Sequence, residues 1–261
     1  MRIIEKFETQ TTRGMLSKAW VELDNGLRCL IKGNSVNGKS IGYEPFSEVI
    51  ASRIGKALGL PVVQYELIEK ERCSNAVKLN GKVKYASICP SYKQMGVQYL
   101  SFSEYAISLG YSRTDPFLTY KLLGLDMNYL ARLLALDSFI GNEDRHFGNF
   151  EVALSSNGVY NAPMFDFGAS LLAWKDSSYC TKVKKGNRIY SDSSKPFKKT
   201  HTEQIRFIKR HIGSQSIFNI SDKDYFYKYI FSQCDDIFSK MPDYRVNAIK
   251  NYLLNRSSYL E

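Results

Sequence analysis

The chain has 261 residues with 44% hydrophobic content, enough to bury a sizeable core as one large domain or as two lobes. No apolar run approaches the ~20 residues that cross a bilayer. The N-terminus MRIIEKFETQ carries Arg2, Glu5, Lys6 and Glu8 without a long apolar stretch, which argues against a secretory signal and for a cytoplasmic protein. The net charge of +10 gathers in one segment, at Lys175, Lys182, Lys184, Lys185, Arg188, Lys195, Lys198 and Lys199, with Arg206, Lys209 and Arg210 behind it. No familiar nucleic-acid module accompanies these residues, so nucleic acid is not the favoured partner. We read a solvated basic face, with an acidic protein partner or an RNA-bound substrate as alternatives. Cys29, Cys73, Cys89, Cys180 and Cys234 are scattered, odd in number and lack a Cys-x-x-Cys pair, which argues against a disulfide framework or a zinc site.

The runs SKAWVEL and LRCLIKG flank Asn25-Gly26, a strong hairpin signal, and Lys32 closes the second run. Directly after it, Gly33 to Ser40 spells GNSVNGKS and matches the Walker A pattern letter for letter. A P-loop also needs a helix starting at its Gly-Lys-Ser, and here Gly42 and Pro45 interrupt one. A better helix start is Pro45, in the first turn of PFSEVIASRIGKALG. A Walker B carboxylate could be read at Asp137, but DMNYLARLLALDSFI has the length and apolar spacing of a helix. Gly33 to Ser40 is therefore read as a connecting loop, with a P-loop NTPase using Lys39 kept as an alternative.

The helix from Pro45 carries Glu48, with Glu44 as its nearby competitor. A strand lysine held by a helix glutamate is the ion pair that aims an ammonium at nucleotide phosphates. Next, VVQYELIE and KVKYASICPSY read as strands around a Cys73-to-Gly81 turn. From Met95 onward the patterns are helical: SFSEYAISLG, DPFLTYKLLG, DMNYLARLLALDSFIG, TEQIRFIKRH, DYFYKYIFSQCDDIFSKM and DYRVNAIKNYLLNRSSYL, with Asp126 as an N-cap.

One β interruption in this helical part carries the chemistry. Asp144 lies five residues before Asn149, and Asp166-Phe167-Gly168 follows the short extended runs EVAL and VYNAPMF. Phosphoryl transfer needs a carboxylate to orient and deprotonate the attacking hydroxyl, and oxygen ligands to hold Mg²⁺ against the phosphates. Asp144 suits the first role, and Asn149 and Asp166 suit the second. A lone Asp-Phe-Gly arises by chance; the Asp-x-x-x-x-Asn pair upstream makes the coincidence far rarer. Arg145 can neutralise local carboxylates or phosphate. His146 is read as orienting the loop backbone or bonding the Asp-Phe-Gly aspartate, rather than as an acid or base. His201 and His211 show no partner pattern.

The strings GNEDRHFGNFEV and APMFDFGASL resemble the HipA-type Ser/Thr kinases, most closely the branch containing the cell-translocating, proinflammatory kinase. The Gly-Asn-x-Asp-Arg-His-x-x-Asn order also resembles phosphoinositide kinases. The resemblance implies that Asp144 is the catalytic base and that Asn149 and Asp166 bind metal. It further implies that Lys32 and Glu48 form the nucleotide-aiming pair and that TTRGMLSKAWV is a phosphate loop in which Gly14 lets backbone N–H groups approach the phosphates. Ile88 to Tyr92 would supply the adenine hinge, and Thr11 aligns with an autophosphorylated serine region. The chain departs from eukaryotic-type kinases in lacking a His-Arg-Asp order and an Ala-Pro-Glu after Asp-Phe-Gly. HipA toxins carry a further N-terminal portion for which there is no room here, leaving open a separate antitoxin partner or a free, translocated effector.

The expectation is an α+β, bilobal, protein-kinase-like fold, with a β-rich N-lobe over residues 1–92 and a mainly helical C-lobe over 93–261. Its activity would be ATP- and Mg²⁺-dependent transfer of the γ-phosphate to Ser or Thr hydroxyls of a protein substrate, with autophosphorylation. A phosphoinositide or small-molecule kinase, and a pseudokinase that only binds nucleotide, are the further alternatives. WKDSSYCTKVKKGNRIYSDSSKPFKKT is a candidate substrate platform or autophosphorylation segment, or a plain surface loop.

Overall fold

The computed structural model describes residues 3–7, 16–35, 42–73, 75–77, 79, 84–186, 192–213 and 216–261. The chain opens with strands β1 (Ile3–Phe7), β2 (Leu16–Leu23) and β3 (Arg28–Ser35), then helix α1 (Glu44–Ala57), strand β4 (Glu66–Glu69), the short helix α2 (Lys70–Cys73) and strand β5 (Tyr85–Pro90). The strands form one antiparallel sheet in the order β1-β2-β3-β5-β4. The Asn25-Gly26 signal is realised as the β2–β3 turn, where Gly26 takes φ +76° and its N–H reaches the Leu23 carbonyl at 2.9 Å.

Side chains alternate across a strand, and this alternation gives the sheet two different faces. Ala19, Val21, Leu23, Cys29 and Ile31 join Ile68, Ala86 and Ile88 in a core on one face. Lys18, Trp20, Leu30 and Lys32 point the other way, toward a cleft. Helix α1 starts at Glu44 with Pro45 in its first turn and buries Phe46, Val49, Ile50 and Ile54. These belong to a second, larger core that continues into the helical part through Leu130, Leu133, Leu134, Leu136 and Phe139.

That part comprises β6 (Gln98–Ser101), α3 (Phe102–Ser108), α4 (Pro116–Leu122), α5 (Met127–Ile140), β7 (Glu151–Ser155), β8 (Gly158–Asn161), α6 (Ser177–Cys180), α7 (His201–Ile212), α8 (Lys223–Ser232), α9 (Asp235–Phe238) and α10 (Asp243–Asn255). Short 3₁₀ turns occupy Phe147–Asn149 and Ser257–Leu260. α5 is the central helix. Asp126 caps its start by accepting from the Asn128 N–H at 2.8 Å. Gly141 ends it at φ +65°, where a Cβ would lie 1.8 Å from the Tyr252 hydroxyl oxygen, so no other residue fits.

Two elements differ from the sequence expectation. β6 falls where helix was expected and pairs with β7, which in turn pairs with β8. A four-residue strand whose partner lies some fifty residues away leaves little local signal. The run DYFYKYIFSQCDDIFSKM divides into α8 and α9 at Gln233 and Cys234. There Arg53 of α1 donates to the Gln233 carbonyl at 2.6 Å and to Asp236 Oδ1 at 2.5 Å, taking an acceptor that a continuous helix would use. All five cysteines are free and buried. Among the described residues no helix is long and apolar enough to cross a membrane.

Candidate active site

Lys32, near the end of β3, is 3% exposed, and its Nζ donates to Glu48 Oε1 at 2.7 Å and to Asp166 Oδ1 at 2.8 Å. Glu48 reaches it from α1 and uses its other oxygen, Oε2, to accept the Phe167 N–H at 2.8 Å. One buried glutamate thus binds strand, helix and the Asp-Phe-Gly segment. Burial opposes the charge on Lys32, but the Asp166 and Glu48 carboxylates outweigh it and hold its pKa well above the ordinary lysine value. Burial also works against Asp166, yet Lys32 beside it keeps its carboxyl below the usual range. Glu48 is pushed upward by burial, against the pull of Lys32 and the Phe167 N–H. The competitor, Glu44, faces elsewhere and accepts from Trp174 Nε1 at 3.1 Å.

Asp166 itself sits at φ +66°, a region that aspartate tolerates better than most side chains. Leu171 and Leu172 follow at φ +50° and +61°, where a bulky residue is strained. Both are buried, and the Leu171 N–H bonds the Ile140 carbonyl at 2.9 Å, so the surroundings over-determine the bend.

The loop after α5 is built on a sealed ion pair. Arg145 donates Nε to Asp137 Oδ2 at 2.7 Å and Nη2 to Asp137 Oδ1 at 3.1 Å. Its Nη1 reaches the carbonyls of Asn149 at 3.1 Å and Phe165 at 2.6 Å. Asn142 adds to this hub by donating to Asp137 Oδ1 at 2.9 Å and accepting the Asp144 N–H at 3.2 Å. Asp137 is therefore a structural anchor on a helix and not a strand-end metal carboxylate. His146 accepts the Gly148 N–H on Nδ1 at 3.1 Å, the backbone-orienting part expected of it.

Asp144 stands on this loop with its carboxylate turned toward Lys195, whose Nζ lies 2.8 Å from Oδ1. The turn that carries Lys195 is held by buried Gln204 of α7, which donates to the Lys195 carbonyl at 2.7 Å and accepts the Lys198 N–H at 2.9 Å. Phe197 of the same turn packs against Phe147 of the loop that carries Asp144.

Lys32, Asn149 and Asp166 line one cleft of about 460 Å³ between the sheet and the helical part. Tyr65, Cys89, Pro90, Tyr92 and Phe165 give it an apolar lining, with Tyr92 stacked on Phe165. Pro90 and Tyr92 come from the stretch read as a hinge. Lys18, Lys32, His146, Asn149 and Asp166 are among the cleft's polar lining. Glu48 supports Lys32 from behind, and Asp144 is two residues from His146. Gly14, Thr11 and Lys39 lie outside the described residues. Three features escaped the sequence reading: the Asp137–Asn142–Arg145 hub, the Lys195 contact, and Lys18. Lys18 left no signal, because a two-residue turn at Asn25-Gly26 would set Ala19 opposite Lys32; the three-residue turn Asp24 to Gly26, closed by the Leu23 N–H on the Leu27 carbonyl, is what brings Lys18 there.

The architecture is a bilobal, kinase-like α+β fold with a β-rich N-lobe and a mainly helical C-lobe. No protein-family model matches the chain, and no curated protein sequence does. Among solved structures the chain is similar to the Helicobacter pylori proinflammatory kinase CtkA, with 19% identity and a TM-score of 0.58 over 98% of this chain and 92% of that one. It is also similar to HipA of the Shewanella oneidensis MR-1 toxin–antitoxin system, in a complex with HipB and operator DNA, with 12% identity and a TM-score of 0.50 over 96% of this chain and 65% of that one. A Golgi casein kinase with Mn and ADP bound matches at 11% identity and a TM-score of 0.55, over 99% of this chain and 72% of that one. The chain thus shares a kinase-like fold with these three structures.

Proposed function

We propose that this chain is an ATP-dependent phosphotransferase that moves the γ-phosphate to Ser or Thr hydroxyls of a protein. The observation that carries the reading is the buried Lys32 bridging Glu48 and Asp166 at the floor of the cleft, with Asn149 on the same wall. A cleft of about 460 Å³ lined by aromatic as well as charged side chains has the size and character of a nucleotide site. Adenine would enter between Tyr65, Cys89 and Tyr92, with Lys32 held toward the α and β phosphates by its two carboxylates.

The donor set fits a hard divalent cation. Asp166 spends Oδ1 on Lys32, while Oδ2 has no protein donor among the described residues; Asn149 uses its amide nitrogen on the Asp144 carbonyl and keeps its side-chain oxygen available. Mg²⁺ held by Asn149 and Asp166 would neutralise charge on the phosphates. Asp144 orients the acceptor hydroxyl and takes its proton as the oxygen attacks the γ-phosphorus and the bond to the β-phosphate oxygen breaks. The Arg145 hub fixes the loop backbone on either side of Asp144, and that positioning is where such a site gains most of its rate.

Intact-mass measurement after incubation with ATP and Mg²⁺ tests the reading. Phosphate is expected on the wild type and on Lys39→Ala, and on neither Lys32→Ala nor Asp144→Ala. Loss with Lys39→Ala and retention with Lys32→Ala would instead support a P-loop NTPase.

A further inference from the structure

Lys18 is the cation of the cleft that nothing yet explains. It stands directly opposite Lys32 in the β2–β3 ladder, so the two side chains rise side by side from the same face. Like charges at such positions repel, and a sheet with no use for the pair would be more stable without it. Lys32 has its carboxylates, whereas Lys18 makes no ion pair or hydrogen bond among the described residues, although it lines the same cleft as Asp166 and Asn149. Burial lowers its pKa, with Lys32 adding to the shift and Asp166 and Glu48 opposing it.

The local charge balance says what Lys18 is for. Lys32, Glu48 and Asp166 together carry one positive and two negative charges, a net negative group at the point where a polyphosphate must approach. Two of the three Lys32 ammonium hydrogens are already committed. Lys18 brings that group to neutrality and presents all three of its donors to the cleft.

We propose that Lys18 is a second polyphosphate-binding lysine, the open cation that receives the β and γ phosphates, while Lys32 meets the α and β phosphates with its remaining donor and locks β3, α1 and Asp166 in register. The inference rests on the reading of the cleft as a nucleotide site. It assigns the two neighbouring lysines different work: Lys18 contributes affinity for the terminal phosphates, and Lys32 adds the arrangement of the site to its own phosphate contact.

The test is binding rather than turnover. Adenosine, AMP, ADP and ATP are titrated by calorimetry, with Mg²⁺ present, into wild type, Lys18→Met and Lys18→Arg. Methionine keeps the apolar stem and removes an unpaired, partly buried charge, so the thermal midpoint should not fall. Lys18→Met is expected to weaken ATP and ADP about tenfold and to leave adenosine within about twofold, with Lys18→Arg close to wild type. Equal ATP affinity in wild type and Lys18→Met overturns the inference while the nucleotide site stands. Adenosine weakened as much as ATP also overturns it, because Lys18 would then be shaping the pocket. A wild type that binds adenosine and ATP alike overturns the inference alone, and one that binds neither overturns the nucleotide-site reading and this inference with it.

Discussion

Arg145 and Asp137 are sealed from solvent, and each is bonded through more than one atom. A pair of this kind is revealed by removing one partner, since the other is left as an uncompensated buried charge. Arg145→Met is expected to cost about 3–5 kcal/mol in urea unfolding. Lys195→Ala breaks a contact whose lysine is half exposed, with 53% of its side chain accessible, and should cost no more than about 1 kcal/mol. Asp144, Asn149 and Asp166 stood out in the sequence by their spacing, and Asn149 and Asp166 line one cleft. Asp137 did not stand out: an aspartate in LLALD reads as a strand-end carboxylate or a helical one, and only the arginine eight residues on, folded back beneath the loop, shows its part.

Helix α7 meets α5 through a buried histidine. His201 shares a 3.3 Å contact between Nδ1 and Ser138 Oγ, while its Nε2 has no hydrogen-bond partner among the described residues. Burial and then the charge of Arg256 hold its pKa well below the ordinary 6.5. Arg256 in turn lies 3.6 Å from Asp192, so the group facing the ring is a cation only partly offset. In the folded chain the ring stays neutral; in the unfolded chain it gains a proton below about pH 6.5. The unfolded state then binds more protons, so the stability contributed by neutral His201 is present above that pH and is lost as pH falls. Urea midpoints at about pH 7.5 and pH 5.5 should therefore converge in His201→Gln relative to wild type; an equal drop in both would show that other groups govern the acid limb. At this scale the long helices α1, α5 and α7 were readable from their apolar spacing and caps. The β6 pairing and the α8–α9 break were not, because both depend on partners distant in the chain, Glu151 to Leu154 in one case and Arg53 in the other.

The two lobes share more than a cleft. The core that begins in α1 runs without interruption into α5, α7 and α8. Met164, two residues before Asp166, exchanges backbone hydrogen bonds with Pro61 and Val63 at 2.7 and 2.8 Å. Ser47 of α1 donates to the Ser170 carbonyl at 2.9 Å. With these ties and the Lys32–Glu48–Asp166 bridge, thermal unfolding should be one cooperative transition, coincident by far-UV circular dichroism and by tryptophan fluorescence.

The five sealed thiols give that cooperativity a count. Cys29, Cys73 and Cys89 belong to the sheet side, Cys180 and Cys234 to the helical side, and burial pushes Cys73 up to about 11 and both Cys89 and Cys234 up to about 12. Folded thiols of this kind ignore an alkylating reagent that an opened chain takes up at once. The molecule is therefore its own odometer: under native conditions a mass spectrum should hold only unlabelled and five-fold labelled chains. A species carrying two labels or three would name the lobe that opens alone.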